Sequence, residues 1–265
     1  MNPGEEFEIK ACKYLNDKYS NSYLKFNHVG GMNSTKSDID VIKNNQYLFS
    51  IEVKDSSAQS GQFVVLPNEE NKSFNFSNKN KSKPNNITKA IIDYMNNNFD
   101  KFYNAGTKGE QIIMDTSIFE KWIITHYKSK NVKYIITNSK DGNFVILPID
   151  NFGKYFSISA SYRMKKSGSQ KLAKKYINYV EKYLDENFGN YEKIVNDEGF
   201  LIKLSDSVIN HRFQIDNHTF YFSPKGNGKF EIRTLSNTQN LNVIFSINIK
   251  KSQETSDLLL FESEL

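Results

Sequence analysis

Three side chains near the N-terminus have the types and spacing needed to work on a phosphate ester. Asp38 lies in the run Ser37-Asp38-Ile39-Asp40-Val41, and Glu52 and Lys54 lie in Ser50-Ile51-Glu52-Val53-Lys54. Side chains alternate faces along a strand, so Glu52 and Lys54 point one way, and Asp38 and Asp40 share a face of the preceding strand. If the two runs pair as a hairpin, an aspartate, a glutamate and a lysine converge at its end. Two carboxylates a few ångströms apart repel each other and invite a divalent cation, most naturally Mg²⁺. Asp38 and Glu52 can hold that metal together with a phosphate oxygen. The metal lowers the pKa of a bound water and stabilises charge in the transition state. Lys54 can orient or activate the attacking water.

Alternating charges are also what the solvated face of an ordinary strand looks like, and D…ExK spacing arises by chance in many proteins. Here the opposite faces carry Ile39, Val41, Ile51 and Val53, so both runs have an apolar side to bury.

The elements that must position these groups can be read around them. Phe7, Ala11, Tyr14, Leu15 and Tyr19 recur at helical spacing and predict a helix over residues 5–19. A short strand is expected at 23–29, closed by Gly30-Gly31, followed by strands at 38–42 and 47–53 around a turn at Asn44-Asn45. A short apolar run at 63–66 is closed by Pro67, and residues 68–86 read as a polar loop. Helices are expected at 87–104 and 117–128, and strands at 132–137 and 144–147 around Asp141-Gly142. A strand at 156–164 and a helix at 171–188 follow, then short strand-like runs at 200–204, 219–222, 230–235 and 243–249. Mixed helices and strands favour an α/β (α+β) fold, a mixed sheet flanked by helices. The composition shifts near residues 150–160, the expected domain boundary.

Bulk properties bound the function. The 265 residues are 38% hydrophobic, which supports a packed core and excludes a disordered chain. A net charge of +5 suits a polyanionic partner, although abundant Lys, Asn, Ile, Tyr and Phe also accompany AT-rich coding sequence. Cys12 is the sole cysteine, which rules out an internal disulfide and a four-cysteine zinc site. No apolar run reaches the roughly 18 residues of a membrane span, and the acidic N-terminus is unlike a signal peptide. A soluble, cytoplasmic protein is expected. There is no phosphate-binding loop or dinucleotide fingerprint, so neither ATP nor NAD is expected.

Ser-Asp-Ile-Asp-Val followed by Ile-Glu-Val-Lys is similar to the active-site signature of the PD-(D/E)XK nucleases. In more detail the chain resembles the HhaI-like type II restriction endonucleases. The matching pieces run in order over most of the chain: Ser34-Thr35, Ser37-Asp38-Ile39, Ile51-Glu52-Val53-Lys54, Gln59, Gly61-Gln62-Phe63-Val64, Pro67-Asn68, Asn80-Lys81-Ser82 and Thr107-Lys108-Gly109. Trp122-Ile123, Tyr127-Lys128-Ser129-Lys130, Tyr162-Arg163, Lys165-Lys166-Ser167-Gly168-Ser169, Leu235-Ser236-Asn237-Thr238 and the run from Asn242 to Ile247 continue the series. It is weakest over 172–229.

The resemblance implies a restriction-endonuclease-like mixed sheet with smaller β-rich DNA-binding domains. A catalytic domain would occupy residues 1–155. A DNA-recognition region would occupy 156–265, with about 172–229 as an inserted subdomain that grips DNA without reading it. It implies a Mg²⁺-dependent monomer that cuts the two strands of a duplex in turn, with GCGC as target and a methyltransferase as functional partner. Asp38 and Glu52 are the implied metal ligands, and Asp38, Glu52 and Lys54 the implied catalytic set. Asp40 stands where the resemblance has an apolar residue.

Other residues carry two readings each. Gln59 and Gln62 can hold the water or a phosphate, or cap a turn. Glu5, Glu6 and Glu8 can reach a metal, or complement the helix dipole. Arg163, Lys165, Lys166, Ser167 and Ser169 belong to the densest basic stretch, with Lys171, Lys174 and Lys175. They are expected to contact DNA, arginine through guanine O6 and N7 and lysine through phosphate. Lys72, Lys79, Lys81 and Lys83 can wrap a duplex or form a flexible insert. Residues 237–242 can read base edges or make a plain turn. The four histidines show no zinc-ligand spacing, and Trp122 with Phe119 and Ile123 reads as a core face. Two rival functions remain: a PD-(D/E)XK repair nuclease that cuts by DNA structure, and a DNA-binding protein without turnover.

Overall fold

The computed structural model describes residues 3–31, 36–166, 168–196, 199–204, 211–235 and 239–265. They form two compact units, one of residues 1–164 with 241–265 and one of residues 165–240. The strand that starts at Phe156 belongs to the first unit, and the C-terminal residues return to it.

In the first unit the chain runs through α1 (Pro3–Tyr19), β1 (Leu24–His28), β2 (Ile39–Lys43), β3 (Gln46–Val53), β4 (Ser57–Asn68), β5 (Ser73–Phe76), α2 (Asn86–Asn97) and α3 (Phe99–Tyr103). Then come β6 (Glu110–Gln111), α4 (Thr116–Lys128), β7 (Val132–Asn138), β8 (Phe144–Pro148), α5 (Phe152–Tyr155) and β9 (Phe156–Lys166). The second unit holds β10 (Ser169–Lys171), α6 (Ile177–Phe188), β11 (Glu192–Asn196), β12 (Gly199–Lys203), β13 (Arg212–Ile215), β14 (His218–Gly226) and β15 (Lys229–Leu235). β16 (Gln239–Ile249) and α7 (Thr255–Ser263) complete the first unit.

The central sheet has the order β1-β2-β3-β7-β8. All its neighbours are antiparallel except β3 and β7, which are parallel. The expected hairpin forms: Lys43 pairs with Gln46 across Asn44 and Asn45, whose φ angles are 53° and 62°. Asparagine tolerates that left-handed geometry, and two such residues give the turn that matches strand twist. The two faces of β3 divide by parity. Phe49, Ile51 and Val53 pack with Ala11, Cys12 and Leu15 of α1 and Phe261 of α7. Ser50 and Glu52 point to the other side.

A larger core covers that other side, joining Ile135 and Leu147 to Trp122 and Ile123 of α4, Ile91 and Met95 of α2, and Phe63 and Phe245 of the second sheet. This second sheet has the order β5-β4-β16-β9-β6. Residues 68–86 are therefore not a plain loop. Phe74 and Phe76 alternate, and β5 pairs with β4 with Phe74 buried. The expected helix at 87–104 breaks at Asn98, between α2 and α3. The run 171–188 becomes α-helical only at Ile177, after a 3-10 turn at Lys174–Tyr176, because residues 169–171 pair with β15 instead.

The second unit is built around a six-stranded sheet, β11-β12-β15-β14-β13 with β10 on β15, packed against α6 through Val180, Leu184, Phe220, Phe222 and Ile232.

β4 carries a bulge that the site depends on. Gln59 pairs with Ser246 but Gln62 with Ile244, so β4 holds one extra residue there. The bulge contains Gly61, at φ +119°, and a Cβ on it would lie 2.7 Å from the Trp122 ring. Both the backbone and the packing therefore require glycine. Gly61→Ala should lower unfolding free energy by about 3 kcal/mol, from positive-φ strain plus overpacking. Gly142→Ala, at φ +80° in open space, should cost about 1 kcal/mol. Urea titration of both variants measures the difference, and equal midpoints would remove the packing argument.

Candidate active site

Asp38 sits at the mouth of β2. Its carbonyl accepts hydrogen bonds from the Val29 and Gly30 amides at 2.9 and 3.0 Å. Its Oδ2 accepts from the Val53 amide at 2.8 Å, so the side chain takes up a backbone donor just past the last ladder pair, Ile39 with Ile51. Asp38 is thereby fixed across from Glu52. Lys54, one step past β3, donates its backbone N–H to Ile136 at 3.0 Å, which ties it to the parallel neighbour β7. Its Nζ donates to Glu52 Oε1 at 2.7 Å and to the Val53 carbonyl at 3.1 Å, and lies 3.9 Å from Asp38 Oδ2. The three predicted residues thus meet at the C-terminal end of a parallel strand pair, a common place for ligand sites in α/β sheets.

The charges are held out of water. Burial raises the pKa of Asp38 and of Glu52 above the carboxylate range, and for Glu52 the nearby Asp38 adds to the shift while Lys54 opposes it. Burial opposes the Lys54 charge too, but the Tyr127 phenol, Glu52 and Asp38 outweigh it and hold its pKa above the usual lysine value. Among the described residues Lys54 alone is within ion-pair distance of the two carboxylates, and their pKa values stay raised although Lys130 is also nearby, so the cluster favours more positive charge. Glu52 Oε2 makes this concrete: it is buried and has no hydrogen-bond partner. Such an atom costs about 1–3 kcal/mol unless something fills the gap. No three His, Cys, Asp or Glu side chains group as a metal site among the described residues. The available donors are two carboxylates, which fit a hard divalent cation that keeps most of its waters.

Asp40 has a different place. It pairs with Ser50 across the hairpin, and its Oδ1 accepts from Ser50 Oγ at 2.7 Å. Tyr47 and Ser37 hydroxyls complete that network, two residues back from the cluster.

A cleft of about 760 Å³ opens over Asp38, Glu52 and Lys54. One wall is β4. Gln59 and Gln62 would face opposite ways on a regular strand, but the Gly61 bulge turns both into the cleft. Ser60 points inward, and its hydroxyl meets the Tyr127 phenol at 3.0 Å. Asn80 builds the next part of the wall. Its Oδ1 accepts from the Val64 amide at 2.8 Å, and its Nδ2 donates to the Val64 and Ser77 carbonyls at 2.8 and 2.9 Å. This side chain stands in for a strand partner and sets Lys79 and Lys81 at the cleft. The end of α4 supplies His126, Tyr127 and Lys130. Among the N-terminal glutamates Glu8 lines the cleft, with Oε2 2.9 Å from His28 Nε2.

The chain matches no family model and no curated protein. A solved structure similar to it is the HhaI endonuclease in complex with DNA, which is 38% identical and superposes with a TM-score of 0.68. The match covers 100% of this chain and 99% of that one. The chain belongs to the HhaI-like type II restriction endonucleases. Its mixed sheets and flanking helices are the restriction-endonuclease fold.

The other predicted contacts of this HhaI-like chain are spread more widely. Gln62 lines the cleft. Arg163 is exposed on β9 and is not part of the cleft lining. The backbones of Lys165 and Lys166 end β9, while their side chains and all of Ser167 lie outside the described residues. So do Asn237 and Thr238 of the possible base-reading run. Ser169 is occupied within its own unit. Its Oγ accepts from Arg233 Nε at 2.7 Å and from the Tyr221 hydroxyl at 3.1 Å, and Arg233 also grips the buried Glu231.

Residue-by-residue reading missed the α4 contribution. His126, one of the four histidines without zinc-ligand spacing, lines the cleft. It stacks on Trp122, with centroids 4.9 Å apart and planes at 9°, one helical turn away. The Trp122-His126 spacing was the available signal.

Burial, with Lys130 and Lys54 nearby, depresses the His126 pKa from 6.5 to about 4. The folded state thus resists a proton that the unfolded chain accepts below its ordinary value. The stabilising effect of neutral His126 is complete above pH 6.5 and is lost as pH falls through about 4. His126→Gln should flatten the fall in melting temperature between those limits. Parallel melting curves for the two proteins would show that His126 has no such role.

Proposed function

We propose that this protein is a Mg²⁺-dependent type II restriction endonuclease. It hydrolyses phosphodiester bonds of double-stranded DNA at a short palindromic site, GCGC, as a monomer that cuts the strands in turn. The observation that carries this reading is the buried, undercharged cluster of Asp38, Glu52 and Lys54, with Glu52 Oε2 left without a partner. That the similar endonuclease was solved on DNA supports the choice of substrate.

Asp38 and Glu52 would hold Mg²⁺. When bound, the ion supplies Lewis-acid stabilisation of phosphoryl charge and a more acidic water. The chain does the rest. The Val53 amide and the hairpin keep Asp38 from rotating away. Lys54, kept charged by its neighbours, donates a hydrogen bond to the attacking water and neutralises charge on the phosphate; it orients rather than deprotonates. Water attacks phosphorus and the 3′ oxygen leaves, giving 5′-phosphate and 3′-hydroxyl ends. Gln62, with Gln59 beside it, contacts the strand near the attacked phosphate.

Recognition falls to Arg163, Lys165, Lys166 and Ser167, with arginine on guanine and lysines on phosphate. Ser169 anchors the end of that segment through Arg233. The unit of residues 165–240 grips the duplex outside the site. No described helix is long and apolar enough to cross a membrane. We place the enzyme in the cytoplasm, where a methyltransferase of matching specificity protects host DNA.

Lys54→Ala should reduce cleavage of a GCGC duplex by about 10²–10³-fold and leave duplex affinity within a few-fold of wild type. Single-turnover cleavage and gel-shift titration read the two quantities separately. Cleavage by the variant at the wild-type rate would refute the role of Lys54.

A further inference from the structure

Lys130 stands two residues beyond the end of α4 and lines the cleft. α4 ends at Lys128, and Asn131 adopts a left-handed φ of 59° that turns the chain. The Lys130 and Asn131 amides close on the Tyr127 and Lys128 carbonyls at 2.9 and 3.0 Å, and the Asn131 carbonyl accepts from the Ser50 amide at 3.1 Å. The turn is therefore pinned to β3, the strand that carries Glu52.

Lys130 Nζ rests 5.5 Å from the centre of the Tyr127 ring, and Lys54 Nζ rests 5.8 Å from the same ring. Tyr127 is buried and its hydroxyl is held by Ser60, so one fixed ring supports both ammonium groups.

What Lys130 lacks is an anion. Its neighbour Lys128 pairs with Asp150. Among the described residues Lys130 makes no ion pair and no side-chain hydrogen bond, although it is half-buried and lines the cleft. Lys36, Lys79 and Lys81 also line the cleft, but they are exposed and solvated. A half-buried cation without a hydrogen-bonded anion loses hydration, which the more distant Glu52 and Asp38 return only in part. Burial accordingly lowers its pKa, with Lys54 adding to the shift and Glu52 and Asp38 opposing it.

We propose that Lys130 is a phosphate-binding residue of the active site. It donates to a non-bridging oxygen of the strand being cut, with Tyr127 holding it and Lys54 at a common spacing. This rests on the endonuclease reading and adds to it a residue from α4, far in sequence from the D…ExK hairpin.

The test uses the full-length protein and a duplex containing one GCGC, in EDTA so that no cutting occurs. Affinity is titrated against salt for wild type and Lys130→Ala, and thermal melting checks that the variant is folded. Loss of one phosphate contact lowers the slope of log affinity against log salt by about 1. The affinity gap between the two proteins should then narrow about 3.5-fold from 50 to 200 mM salt. A scan with single methylphosphonate linkages, which remove one phosphate charge at a time, locates the contact. Wild type should lose affinity at a position to which the folded Lys130→Ala protein is indifferent, while Lys54→Ala remains sensitive there. Equal salt slopes, or the same methylphosphonate profile in both proteins, would overturn the assignment. Wild-type cleavage together with that result would overturn Lys130 alone. Failure of the wild type to bind the duplex at any salt would overturn the endonuclease reading with it.

Discussion

Two carboxylates held side by side out of water are the constraint around which the first unit is arranged. Burial raises the proton affinity of Asp38 and Glu52, the nearby Asp38 adds to the shift of Glu52, and Lys54 balances only part of their charge. Left to relax, such groups would turn toward solvent. The backbone prevents it. Asp38 is locked by the Val53 amide, and Glu52 sits on a strand whose alternate residues, Phe49, Ile51 and Val53, are buried against α1. Withdrawing the carboxylates would require those apolar side chains to leave their core, where each is worth about 1.5–3 kcal/mol. The core thus maintains an electrostatically unfavourable cluster, which is the arrangement expected where charge balance is completed by a ligand.

The surrounding walls serve the same end by different means. The bulge at Gly61 changes the parity of β4, so that two glutamines reach the cleft while Ser60 turns inward to hold Tyr127. Asn80 replaces a strand with one side chain and carries two lysines to the rim. The pinned end of α4 brings a histidine kept neutral and a lysine kept without an anion. Around the carboxylates, therefore, are donors and cations, a distribution suited to a polyanion.

How much of this was legible depended on sequence distance. The hairpin of β2 and β3 could be read because its information is local: period-two alternation in Ile39, Val41, Ile51 and Val53, and an Asn-Asn turn that accepts positive φ. The fold class followed from the alternation of elements, and the ordered resemblance pointed to the family that the full-length structural match establishes. Less was legible where a long-range partner decides the outcome. Phe74 and Phe76 form a strand because β4 is there to pair with. The α-helix starts only at Ile177 because β15 captures residues 169–171. Gln59 and Gln62 face one way through a bulge whose cause, the Trp122 ring against Gly61, lies on another element. The contribution of α4 was hidden for the same reason: only the parallel pairing of β3 with β7 brings its end to Glu52.

We propose that the buried carboxylate pair and Lys54 make this chain a metal-dependent, sequence-specific DNA endonuclease. The most direct test is incubation of the purified protein with unmethylated phage DNA in Mg²⁺ and in EDTA, followed by gel electrophoresis. Discrete bands in Mg²⁺, in the pattern of GCGC sites, and intact DNA in EDTA are expected. Intact DNA in Mg²⁺ and every other divalent ion tried, from a protein that still binds the duplex, would contradict the proposal.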